Sequence, residues 1–168
     1  MLVEEVIPVA VIVDKKKAAS PWIDHIWVPA RVVTGLPETE PMTLIAREGE
    51  NESYFAGAMS LVLASTETAN YRDNLLTGQP KLWVVLRMGE LDAYVSVVTV
   101  TADPAEGEAH TESGSNIVDT VPMPAEIAAQ LAAFVDRHHV EREFFKRKRG
   151  RVNPDALAHR RPGRERDE

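Results

Sequence analysis

KLWVVLRMGELDAYVSVVTVT, Lys81 to Thr101, decides the fold class. Lys81–Met88 and Ala93–Thr101 are rich in β-branched and aromatic residues, as strands are. Gly89-Glu90-Leu91-Asp92 joins them, a hairpin-length connection with its glycine first. A parallel crossover needs about a dozen residues or more, so these strands must run antiparallel.

On the N-terminal side the period changes to that of a helix. Ser65 or Thr66 can cap it, Glu67 sits in its first turn, and Gly78 with Pro80 stops it. Tyr71 and Leu75, four residues apart, give this helix over 66–77 one apolar edge. Further back the signals are those of strands. Tyr54–Ala64 alternates, with Phe55, Gly57, Met59, Leu61 and Leu63 on one face and Gly57 suggesting a bulge or a close backbone approach. Met42–Ala46 fits a short strand. Trp22–Val33 contains Pro29, which makes it an edge strand, a bent strand or two short ones. Its apolar residues lie on both faces: Trp22, Ile26 and Val28 on one, Ile23, His25 and Trp27 on the other. Val6–Val13 is a continuous β-branched run, expected of a strand covered on both faces.

On the C-terminal side Asp103–Asn116 is acidic and rich in small residues, a loop or a frayed helix. Pro124 and Glu126 then suit a helix start. Ile127, Leu131, Phe134, Val135 and His138 line one face of a helix from 124 to at least 138. Strands, a helix, a strand hairpin and a final helix do not alternate as βαβ units do. The expected fold is α+β: an antiparallel sheet, free to curl, with one short helix and a longer C-terminal helix packed on it. The 168 residues fit one such domain over 3–149 and a basic tail over 150–168 without periodicity, expected to be disordered.

Composition excludes several chemistries. The chain has no cysteine, hence no disulfide, thiolate metal site or thiol catalysis. A reducing compartment suits it, and the expected location is the cytoplasm. The run Val6–Val13 is far shorter than the roughly 20 apolar residues of a membrane span. Glu4 and Glu5 before it and Lys15–Lys17 after it reverse the charge order of a signal peptide. No transmembrane segment is expected. No G-x-S-x-G, H-E-x-x-H or Walker loop occurs, so neither a catalytic residue nor a cofactor is assigned.

Charge is divided unevenly. Residues 1–141 hold 9 Lys/Arg against 21 Asp/Glu, and residues 142–168 hold 10 against 5. So acidic a body is a poor match for a phosphate backbone, and nucleic acid is not an expected partner. The sign changes within DRHHVEREFFKRKRG, Asp136 to Gly150. His138 and His139 are neighbours whose side chains would point about 100° apart on a helix and cannot share a metal. His139 with Glu143 four residues on makes half a zinc site at most, so no metal is assigned and the two histidines stand as a polar site. A run of charge is ordinarily a solvated helix end, but two adjacent phenylalanines beside it call for a further explanation. If the helix continues, Phe145, seven residues after His138, stays on the apolar face and Phe144 leaves it. Phe144 and Phe145 followed by Lys146, Arg147, Lys148 and Arg149 are expected to form a partner-docking element: aromatic anchors with charge steering.

Three stretches carry a family resemblance: IPVAVIVDKKKAASPWIDHIWVPARVV, YFAGAMSLVLASTETANYRDNLLTGQPKLWVVLR and VDTVPMPAEIAAQLAAFVDRHHVEREFFKRKR. Together they resemble an uncharacterised family of small bacterial proteins, a domain of unknown function. Its members are typically encoded beside molybdenum-dependent formate dehydrogenase genes and their accessory factors. The resemblance implies a setting, the maturation, targeting or regulation of a respiratory molybdoenzyme, and a protein partner that is a molybdoenzyme subunit or accessory factor. Names within the family also suggest molybdopterin-guanine dinucleotide biosynthesis, hence an enzyme or carrier of that cofactor. The glycine-rich nucleotide loop such a transferase needs is absent from this sequence.

Overall fold

In a computed structural model, which describes residues 1–141, the strands divide between two antiparallel sheets. β1 (Glu4–Lys17), β2 (His25–Val33), β3 (Thr43–Glu48) and β4 (Asn51–Ala64) form the first, in the order β2-β1-β4-β3. β5 (Lys81–Met88), β6 (Val95–Thr101) and β7 (Asn116–Pro122) form the second, in the order β6-β5-β7. Three helices follow strand ends: α1 (Thr68–Leu76) after β4, α2 (Pro104–Ala109) after β6 and α3 (Ala125–His138) after β7. The class is α+β, as expected, with two sheets in place of one.

The sheets face each other. Ile7, Val9, Val11 and Val13 of β1 share one buried cluster with Leu82, Val84 and Leu86 of β5. Curling brings β4 beside β6 and β2 beside β7 without closing a barrel. Ala64 pairs with Glu4, Thr101 with Trp83 and Pro122 with Lys81, so the strand ends that lead into helices gather at one end. There α3 buries Ile127, Leu131 and Phe134 completely, and α1 adds Tyr71.

Two β-bulges explain departures from simple alternation. The register of β1 against β4 shifts between Val11 and Ile12, opposite Gly57 and Phe55. The extra residue, Ala56, turns inward, and Phe55 is sent to the outer face with Ala10 and Ile12. Phe55 therefore does not share a face with Met59, Leu61 and Leu63. The second bulge lies where Val13 pairs with Pro29 of β2, an edge strand that can carry a proline. The connection from β2 to β3 crosses that outer face, because β2 and β3 hold opposite edges of the sheet. Leu36, Pro37 and Pro41 in it line a cavity over Ala10 and Phe55.

Three other boundaries differ from expectation. Asp103 accepts hydrogen bonds from the amides of Ala105 and Glu106 and starts α2, which Pro104 opens. Neither Ser65 nor Thr66 caps α1 through its side chain. The Ser65 hydroxyl instead accepts the Val3 amide at 2.9 Å, pinning the N-terminus to the end of β4. Pro124 is the N-cap of α3 and not its first helical residue. That helix ends at His138, and His139 is extended. The helical spacing that put Phe145 on the apolar face of α3 therefore does not carry through to it.

Candidate functional site

Where α3 ends, the next residues fold back onto α1. His139 Nε2 lies 3.5 Å from a guanidinium nitrogen of Arg72, and Nδ1 lies 3.1 Å from the Thr68 hydroxyl. A guanidinium only donates, so Nε2 accepts and Nδ1 carries the proton that it gives to Thr68. Arg72 also donates to Glu141 at 3.0 Å. Each exposed contact of this kind contributes only about 0–1 kcal/mol, and together they hold His139 and Glu141 against α1.

His138 does something different. Its ring packs on Phe134 with centroids 4.6 Å apart, as the apolar face of α3 requires. The two histidines thus diverge, one to the core edge and one to α1. Next to them Arg137 donates to Glu5 at 2.8 Å and ties α3 to the start of β1.

The Arg72–Glu141 bridge separates two openings. On one side is a groove of about 400 Å³ floored by Leu75, Ala132 and Val135. On the other is a broader cleft of about 1290 Å³ that adds Ser65, Thr66, Arg137 and His138. Leu76, 71% exposed, borders both, and Val140, 76% exposed, borders the cleft. Exposed apolar side chains, two arginines and several hydroxyls meet at one rim. With Arg72 and Arg137 on the cleft side and Asp136 and Glu141 at the groove, such a surface suits a partner with apolar and charged features.

Of the residues singled out in the sequence, His138 and His139 both line the broader cleft, His138 against Phe134 and His139 against α1. Phe144, Phe145, Lys146, Arg147, Lys148 and Arg149 lie outside the described residues, as does Glu143. The same holds for the basic tail from 150 to 168. Sequence reasoning missed Thr68 and Arg72. They stand four residues apart on one face of α1, but nothing in sequence connects them with a histidine some seventy positions away.

The opposite end of the sandwich holds a second aromatic group. Trp27, 3% exposed, donates its indole N–H to the Asp92 carbonyl at 3.1 Å, and His25 Nε2 donates to the same oxygen at 3.0 Å. Trp22 precedes β2 and is 91% exposed. Trp83 belongs instead to the helical end, half-buried against Gly107 of α2, where a Cβ would meet its ring at 2.2 Å.

A two-sheet α+β body with a polar cleft beside its last helix is the class of protein defined here. Over residues 8–149 the chain matches the family described as "Protein of unknown function (DUF3305)", and it belongs to that family. No curated protein and no solved structure matches it. Among the described residues no helix is long and apolar enough to cross a membrane, and no three His, Asp or Glu side chains are grouped to hold a metal ion.

Proposed function

We propose that this protein is a non-enzymatic accessory factor in the maturation or regulation of a molybdenum-dependent formate dehydrogenase. It docks a subunit or fellow accessory factor through Phe144–Arg149. The setting rests on the family resemblance. The observation that carries the docking role is the exit of the chain from α3: His139 and Glu141 hold it to α1 at a rim where Leu76 and Val140 are exposed. An aromatic-basic segment starting from a fixed point loses less freedom on binding than one on a free tail.

A second reading, a carrier of the molybdopterin cofactor, draws on the broader cleft, whose Arg72, Arg137, Ser65, Thr66 and Thr68 offer donors to an anionic group. A clean deletion, assayed separately for formate dehydrogenase activity and subunit abundance, tests the first reading. Loss of activity or of subunit is expected, and normal values of both remove it. Pterin fluorescence in the purified protein would favour the carrier.

A further inference from the structure

The smaller groove between α1 and α3 has no occupant among the described residues, although its floor is apolar. Leu75, Ala132 and Val135 form it, and Leu76 stands at its mouth. Its volume of about 400 Å³ is within the range of pockets that take a small ligand or a pair of anchoring side chains. Exposed Asp136 and Glu141 stand at its rim, Glu141 paired with the Arg72 that also lines it, and Asp73 lies in the adjoining cleft.

The chain itself supplies an occupant. Glu141 lines the groove, and only Arg142 and Glu143 separate it from Phe144. A chain spans at most about 3.3–3.6 Å per residue, so the Cα of Phe144 lies within roughly 11 Å of that of Glu141. Two phenylalanines are thus tethered beside an apolar groove, at an effective concentration on the order of millimolar for so short a link. Charge agrees with this. Lys146–Arg149 follow the aromatic pair, and the surface they would cross belongs to a body with 21 acidic residues against 9 basic ones.

We propose that the groove between α1 and α3 is the seat of the chain's own Phe144–Phe145 pair, with Lys146–Arg149 lying over the acidic rim. In the free protein the docking element is stowed, and a partner must exchange for the groove to engage it. The exchange rests on the docking role proposed above. The stowing does not, and it is measured on the purified protein alone.

The native chain has no cysteine, so one introduced thiol is a unique probe. Leu76→Cys reports on the groove, and Leu91→Cys, at a position 98% exposed at the other end, gives the rate of an open site. In the full-length chain, with each rate divided by the thiolate fraction read from its own pH–rate profile, Leu76→Cys should react with a neutral thiol reagent about tenfold more slowly than Leu91→Cys, so that access alone makes the difference. Adding Phe144→Ala and Phe145→Ala should bring it to the open-site rate, with unchanged circular dichroism. A synthetic peptide of residues 142–150 should then slow it again. Equal rates at the two positions would overturn the proposal, as would protection that survives the double phenylalanine change. Protection that rises with protein concentration would assign the groove to a second copy and overturn it too. A Leu76→Cys, Phe145→Cys chain should also close an intramolecular disulfide that a Leu91→Cys, Phe145→Cys chain does not.

Discussion

At one end of the sandwich α3 lays Ile127, Leu131 and Phe134, none with any exposure, across the strand ends. At the other end one indole, Trp27, fills the opening with His25 and Tyr54 against its ring and the Asp92 carbonyl on its nitrogen. The first closure is dry and many-sided, and its stabilisation scales with apolar area removed from water. The second depends on a few polar contacts around a turn in which Leu91 and Asp92 both have positive φ. Leu91 in that region costs about 1–2 kcal/mol, while Asp92, with a short polar side chain, is tolerated there more readily. Stability is therefore concentrated at the helical end, while the turn end holds a strained backbone in place with little apolar cover.

Substitution at the two ends should separate them. Phe134→Ala is expected to cost about 3–5 kcal/mol, since a fully buried ring is lost from among Tyr71, His138 and the strand ends. Urea unfolding measures it, and a cost near 1 kcal/mol would break the contrast. Asn74, buried on α1, comes next. Its amide donates to the carbonyls of Lys81 and Ala102, and its oxygen accepts the Lys81 amide. Asn74→Ala should cost about 1–3 kcal/mol by stranding buried backbone groups. Asn74→Asp should not restore it, because a carboxylate cannot donate.

At the turn end effects should be smaller. Trp27→Phe keeps a ring but loses the bond to Asp92, for about 1 kcal/mol. It should raise proteolytic nicking within 89–93, which limited proteolysis with mass mapping reads. Leu91→Gly should act in the opposite direction, stabilising by about 0.5–1 kcal/mol, because glycine relieves the left-handed strain at an exposed position. A destabilising Leu91→Gly would show that the side chain does structural work after all.

The smallest effect is in pH dependence. At the turn end the Tyr54 hydroxyl, donating to Glu52, is the main cause holding that carboxyl below its ordinary value, with Arg47 assisting. A lowered carboxylate contributes stability that is present above its ordinary value of 4.5 and is lost as pH falls through the folded value. Tyr54→Phe should flatten the acid limb of a stability–pH curve. At the helical end burial pushes Tyr71 above its ordinary value of 10.0. Its contribution is complete below that pH and is lost as pH rises through the folded value, so Tyr71→Phe should flatten the alkaline limb.

The sequence made the β5–β6 hairpin and the apolar face of α3 legible because both are local: one rests on loop length, the other on spacing within a helix. Pairing between distant strands left no such trace, and neither the division into two sheets nor the place of β7 could be read. NIVDTVP is an edge strand with polar Asp119 and Thr120, and a half-covered strand has little apolar signature. The inward turn of Ala56 and outward turn of Phe55 required the bulge itself, because one extra residue reverses every side chain beyond it. At the candidate site the two histidines could be read, and so could their divergence. The partners of His139 could not, because α1 and α3 meet only through the fold.

β1 lies in the middle of its sheet, although it is made first. β2 can pair with it as soon as it emerges, but its other edge is filled by β4, some 40 residues later. During synthesis the uncharged run from Val6 to Val13 therefore waits with an open edge, a template for pairing between nascent chains. Glu4 and Glu5 stand before that run and three lysines after it, so a second copy stacking parallel and in register meets like charge at both ends and is repelled. The lysines that extend β1 past its apolar stretch thus guard the chain before there is a fold to stabilise.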